Sequence, residues 1–132
     1  MAFSRRIKRK KEIRMNIFVY GTLKSNYHNH YILENCNAKF LSNVITVEKY
    51  PLFELKEPFP YLQNNPGIGE FVKGELYYVD NIFKEQIDYF EGVPTLYKNG
   101  KIKVTNGKEE YEVDCYFKSE EIISFPEFIE EY

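Results

Sequence analysis

Only one stretch of this chain carries a convincing helical period. Over residues 81–91 (NIFKEQIDYFE), Ile82, Phe83, Ile87 and Phe90 recur near one helix face. Asp80 or Asn81 can cap the free amides at its start. Gly92 follows as the residue past the last turn, and Pro94 blocks continuation. Most other patterned segments read as strands: 16–20 (NIFVY), 38–49 (AKFLSNVITVEK), 70–79 (EFVKGELYYV), 96–105 and 110–118. The last two are joined by the hairpin dipeptide Asn106-Gly107. Gly74 predicts a bulge or the close approach of another backbone. Pro58, Pro60, Pro66 and Gly67 make 56–68 an irregular loop with at most a brief edge strand over 59–62. Residues 30–35 allow a short helix. Strands that do not alternate with helices argue against a doubly wound parallel sheet. They predict an α+β domain, a mostly antiparallel or mixed sheet curled into a small β-barrel with a helix beside it.

The 132 residues are the size of one domain, and 43% apolar residues suffice to fill one core. The aromatics are 12 Tyr and 11 Phe with no Trp, which points to half-buried strands or a cleft with polar tips. Cys36 and Cys115 lie far apart with no CxxC, as expected of reduced, buried thiols in a cytoplasmic protein. No apolar run approaches the ~20 residues of a membrane span, so no membrane partner is expected.

Charge is uneven along the chain. Residues 1–14 carry Arg5, Arg6, Lys8, Arg9, Lys10, Lys11 and Arg14 against Glu12 alone, while the chain as a whole is net −2. The chain therefore divides into a basic extension (1–14), a patterned domain (15–118) and an acidic tail (119–132) that is either a helix or a docking arm. The extension can be solvated, dock on the acidic body, or grip a polyanion. The acidity of the domain behind it argues against a nucleic-acid partner and suits a monomer.

Three features could carry chemistry. The first is the strand that stops at Gly21 in "IFVYGTLK". Glycine tolerates positive φ, so the amides of Gly21, Thr22 and Leu23 can converge on a carboxylate, phosphate or oxyanion, with Lys24 as a possible added charge. An ordinary turn is the plainer reading. The second is Glu91, which closes the helix at the end where its charge opposes the dipole; Glu75 and Asp88 are alternative carboxylates, Asp88 reading as a solvated or locally bonded helix residue. The third is His28 and His30, the only histidines. With no Cys or Asp cluster beside them, they read as loop or helix-start residues, and no metal site is expected.

"FVYGTLK" at the first strand, "NH" at 29–30, "YPLF" at 50–53, "FPYL" at 59–62, "VKGELYYVD" at 72–80, "IDYFEG" at 87–92 and "LY" at 96–97 occur in this order. Together, over residues 15–118, they resemble the gamma-glutamylcyclotransferase-like (AIG2-like) family, most closely its gamma-glutamylamine cyclotransferase branch. The resemblance implies a small mixed β-barrel with flanking helices and an enzyme releasing 5-oxoproline from a small γ-glutamyl substrate. It implies that Tyr20, Gly21, Thr22 and Leu23 hold the substrate's carboxylate end, that Glu91 is the catalytic acid/base, and that Tyr97 and Tyr116 line the cleft. Because the nucleophile is the substrate's own amine, no cofactor or metal is required. A non-catalytic ligand-binding protein of the same fold is the alternative.

Overall fold

The computed structural model describes residues 14–54, 60–119 and 128–132. The basic extension lies outside these residues except for the backbone of Arg14, and so does most of the acidic tail. Five strands close a barrel in the order β1 (Arg14–Val19), β5 (Glu70–Asp80), β2 (Lys39–Tyr50), β6 (Tyr97–Thr105) and β7 (Glu110–Lys118). All neighbours are antiparallel except β1 and β7, which pair in parallel at Ile17↔Asp114 and Phe18↔Cys115. The fold is thus a mixed five-stranded barrel with two helices, as the sequence predicts. Short helix α1 spans Tyr31–Asn35. A 3-10 turn at Asn81–Phe83 leads into α2 (Lys84–Glu91).

Strand alternation builds two cores from one sheet. Phe18, Val44, Val72, Leu76, Ile102, Val104 and Val113 come from all five barrel strands and fill the barrel. The opposite faces of β1 and β5, with Met15, Ile17, Val19, Tyr77 and Val79, receive Ile32 and Leu33 of α1 and Ile87 of α2. The second half of β1 is therefore buried on both faces, which explains why Ile17, Phe18 and Val19 run apolar without alternating. Gly74 marks a close approach, not a bulge: a Cβ there would lie 2.4 Å from the Val19 carbonyl oxygen.

One expectation is extended and one is corrected. The brief strand expected over 59–62 is present, but its burial and its partner are not evident from the sequence. Strand β4 (Pro60–Leu62) is wholly buried and pairs with β3 (Leu52–Glu54), an element the sequence reading missed because Pro51 looked like a stop. Ile82 is not on the buried helix face but 71% exposed. The first turn is 3-10, with three residues per turn, so the α-helical phase does not extend back to it. The cap itself is as expected, with Asp80 Oδ1 accepting the Ile82 amide at 3.2 Å.

The hairpin turn is held by Asn106, whose Oδ1 accepts the amides of Lys108 and Glu109, both at 2.9 Å. The end of the tail behaves as a docking arm. The Ile129 amide donates to the Leu52 carbonyl at 2.8 Å, and the Lys73 amide donates to that of Glu130 at 2.7 Å.

Candidate active site

A cavity of about 270 Å³ opens between the end of β1, the end of α2 and the start of β6. Tyr20, Gly21, Thr22, Leu23, Glu91, Tyr97 and Tyr116, the residues to which the resemblance gives a site role, line it together. Phe18, Pro60, Phe90 and Leu96 add an apolar wall, and His28 and Asn29 a polar rim.

Gly21 does not have positive φ, contrary to expectation, and no residue from 20 to 23 does. Its glycine is required for space, because a Cβ would meet Cγ of Pro60 at 2.9 Å. The Lys24 amide donates to the Gly21 carbonyl at 3.0 Å, closing a turn over 21–24. Among the described residues the amides of Thr22 and Leu23, two residues that line the cavity, donate to no backbone carbonyl outside the regular elements. Asn29 Nδ2 donates to Thr22 Oγ1 at 2.9 Å, and His30 Nδ1–H donates to the Leu23 carbonyl at 2.8 Å. Thus Asn29 and His30, the "NH" pair, brace the turn. Among the described residues, no group of three or more His, Cys, Asp or Glu side chains could hold a metal ion. Lys24 is not part of the cavity wall; its Nζ donates to the Tyr132 carbonyl at 2.9 Å.

The three cavity tyrosines are anchored through their hydroxyls. Tyr97 donates to the Pro60 carbonyl at 2.7 Å, Tyr20 to the Tyr116 carbonyl, and Tyr116 to Asp88 Oδ1. Burial raises the Tyr20 and Tyr116 hydroxyls above the ordinary range, so both stay protonated near neutrality. Glu91 ends α2 beside Gly92, whose left-handed backbone (φ 66°, ψ 40°) turns the chain away. Its carboxyl is pushed up to about 7, first by burial and then by the negative charge of Asp88. Of the alternatives, Asp88 is bonded to Lys84, Tyr116 and Asn99, and Glu75 lies outside the cavity. Cys115 is a buried thiol whose pKa burial pushes well up, which suits packing and not nucleophilic attack.

The sequence reading missed Asn29, Pro60 and Leu96 as cavity residues. All three sit inside motifs that carried the resemblance, "NH", "FPYL" and "LY", so position within a motif was the available signal.

Comparison with known proteins places the geometry. The family model for gamma-glutamyl cyclotransferase, AIG2-like, matches residues 17–130. The chain belongs to this family. Gamma-glutamylaminecyclotransferase A of Danio rerio is 39% identical over 94 residues, covering 68% of this chain and 58% of that protein. The Homo sapiens gamma-glutamylaminecyclotransferase is 39% identical over 92 residues, covering 67% and 60%. The match therefore spans less than two thirds of each relative's own length. A crystal structure of an AIG2-like protein from Mus musculus superposes with a TM-score of 0.83 at 29% identity, covering 90% of this chain and 88% of that one. Like this AIG2-like family member, the fold is a small barrel. Among the described residues no helix is long and apolar enough to cross a membrane.

Proposed function

We propose that this chain is a gamma-glutamylcyclotransferase-type enzyme that releases 5-oxoproline from a γ-glutamyl amine or γ-glutamyl amino acid. The observation that carries the reading is one cavity lined both by a carboxyl raised to about 7 and by a turn whose Thr22 and Leu23 amides find no partner among the described residues. The names of the relatives favour a γ-glutamyl amine as substrate.

In this reading the turn at Tyr20–Leu23 receives the substrate's α-carboxylate through the Thr22 and Leu23 amides. Tyr97 and Tyr116 flank the γ-glutamyl chain. The α-ammonium then lies where Glu91 takes one of its protons. The freed nitrogen attacks the γ-carbonyl carbon, closing a five-membered ring and placing negative charge on oxygen. Glu91 returns the proton to the leaving nitrogen as its bond to that carbon breaks, and the ring nitrogen gives up its second proton to the emptied carboxylate or to solvent, leaving the neutral lactam and an amine. An ordinary glutamate, near 4.3, is too weak a base for an amine near 8; a carboxyl near 7 is far better matched. Holding the carboxylate also confines the flexible chain to its attack-ready shape.

The test is mass spectrometry for 5-oxoproline after incubation with γ-glutamyl-alanine, γ-glutamyl-ε-lysine, a γ-glutamyl amine and glutathione. Release by wild type and not by Glu91→Gln is expected, and the preferred substrate names the leaving group. Saturable thermal stabilisation by a γ-glutamyl compound without product would instead establish a binding protein.

A further inference from the structure

Glu75 was a candidate carboxylate that the cavity does not use, yet it is heavily bonded. In the barrel its backbone is the register partner of Val19, the last residue of β1 before the turn. Its side chain reaches the other end of the same turn. Oε1 accepts the Ser25 amide at 2.8 Å, and Oε2 accepts the Ser25 hydroxyl at 2.6 Å. The Tyr77 hydroxyl donates to Oε1 at 3.1 Å, fixing the carboxylate from behind. One residue thereby holds both the entrance and the exit of the segment 20–24.

We propose that Glu75 is a positioning residue for the ligand-binding turn, clamping its two ends from outside the cavity. The proposal rests on the role assigned above to residues 20–23. Asn29 and His30 brace the middle of the turn, but beside Glu75 its exit is tied back only by the Lys24–Gly21 backbone bond among the described residues, and loss of the carboxylate loosens that end. Two bonds from one carboxylate restrict it, and hydrogen bonds to a charged acceptor are the stronger kind. The ammonium of neighbouring Lys24 is tied separately to Tyr132, so loss of Glu75 should loosen the turn without releasing it.

Two measurements on Glu75→Ala and Glu75→Gln test this. Amide hydrogen exchange comes first because it needs no substrate. Glu75→Ala should speed exchange at the two hydrogen-bonded amides of the turn, Ser25 and, beyond the direct contact, Lys24, while leaving β6 and β7 as in wild type. Glu75→Gln should restore protection, since the amide can accept from the Ser25 N–H and donate to its hydroxyl. Steady-state kinetics come second. Glu75→Ala should raise KM about tenfold or more with kcat within about threefold, and Glu75→Gln should recover most of the loss. Unchanged exchange at Lys24, equal acceleration across the barrel, or loss that Glu75→Gln does not recover overturns the proposal. If wild type turns over no γ-glutamyl compound, the function reading fails while the exchange data still decide whether Glu75 holds the turn.

Discussion

Asp88 and Glu91 stand one turn apart on the same helix, yet their surroundings drive them in opposite directions. Burial alone would raise both. At Asp88 that push is outweighed by hydrogen bonds from Lys84, Tyr116 and Asn99 and by the charge of Lys84, whose Nζ lies 2.6 Å away, so its carboxyl falls below the ordinary range. At Glu91, no hydrogen bond reaches the carboxyl among the described residues, and Asp88 adds a like charge, so it rises to about 7. The two are neighbours on one helix face, so the difference lies in what each carboxyl meets. Asp88 meets Lys84 of its own helix, Asn99 of β6 and Tyr116 of β7; Glu91 is a turn further on, at the cavity with its aromatic and aliphatic wall. Giving donors to one carboxylate and none to the next separates a structural anion from a candidate base.

The strongest way to break this comparison is to neutralise the cavity carboxyl. Glu91→Gln should keep the fold and lower turnover by about 10²–10⁴-fold, the usual contribution of a positioned acid–base group. Near-normal 5-oxoproline release by this variant would end the assignment. In wild type, kcat/KM should fall about tenfold per pH unit below about 7, as the base becomes protonated. An acid limb centred near 4.5 would show that Glu91 is not shifted.

The same group should leave a mark on stability. A carboxyl at about 7 in the folded chain and near 4.5 when unfolded favours folding while it is protonated. That stabilisation is fully present below about 4.5 and is lost as pH rises through about 7. Asp88, lowered in the folded chain, acts in the opposite sense and over a more acidic range. The stability difference between wild type and Glu91→Gln isolates the first effect. Between pH 4 and pH 8 that difference should move by about 3 kcal/mol against wild type, at about 1.36 kcal/mol per pKa unit. Urea unfolding at several pH values reads it, and a difference independent of pH would contradict the burial of Glu91.

Much of this could be read before any coordinates. Five barrel strands, α2 with its Asp80 cap and Gly92 stop, and the hairpin at Asn106-Gly107 all follow from local chemistry that acts within a few residues. The elements that misled depend on distant partners. β3 exists because Phe53 and Leu52 pair with β4 and enter the two cores, which no local rule reveals. Gly21 is glycine because Pro60 arrives from 39 residues away, so its backbone geometry was misjudged while its place in the cavity was not. Glu91 was suspect from its unfavourable end of the helix, but its companions on the wall became evident only through the resemblance and the barrel closure that unites β1, β6 and β7.

The finest probe alters the donor-rich carboxyl alone. Asp88→Asn keeps an oxygen to accept the Tyr116 hydroxyl but removes the charge that bears on Glu91. Burial remains, and it is the larger cause of the shift, so Glu91 should stay above its ordinary range while falling below about 7. The acid limb of kcat/KM should therefore move to lower pH by less than the full distance to 4.5, with turnover at pH 8 little changed. A limb that stays in place would mean that Lys84 already neutralises Asp88 as seen from the cavity, leaving burial as the whole cause. A limb that moves upward would mean that Asp88 orders the helix end and that its loss buries Glu91 further. Either result would replace the charge argument with a packing one, and the two carboxyls would then differ in solvent access more than in donors.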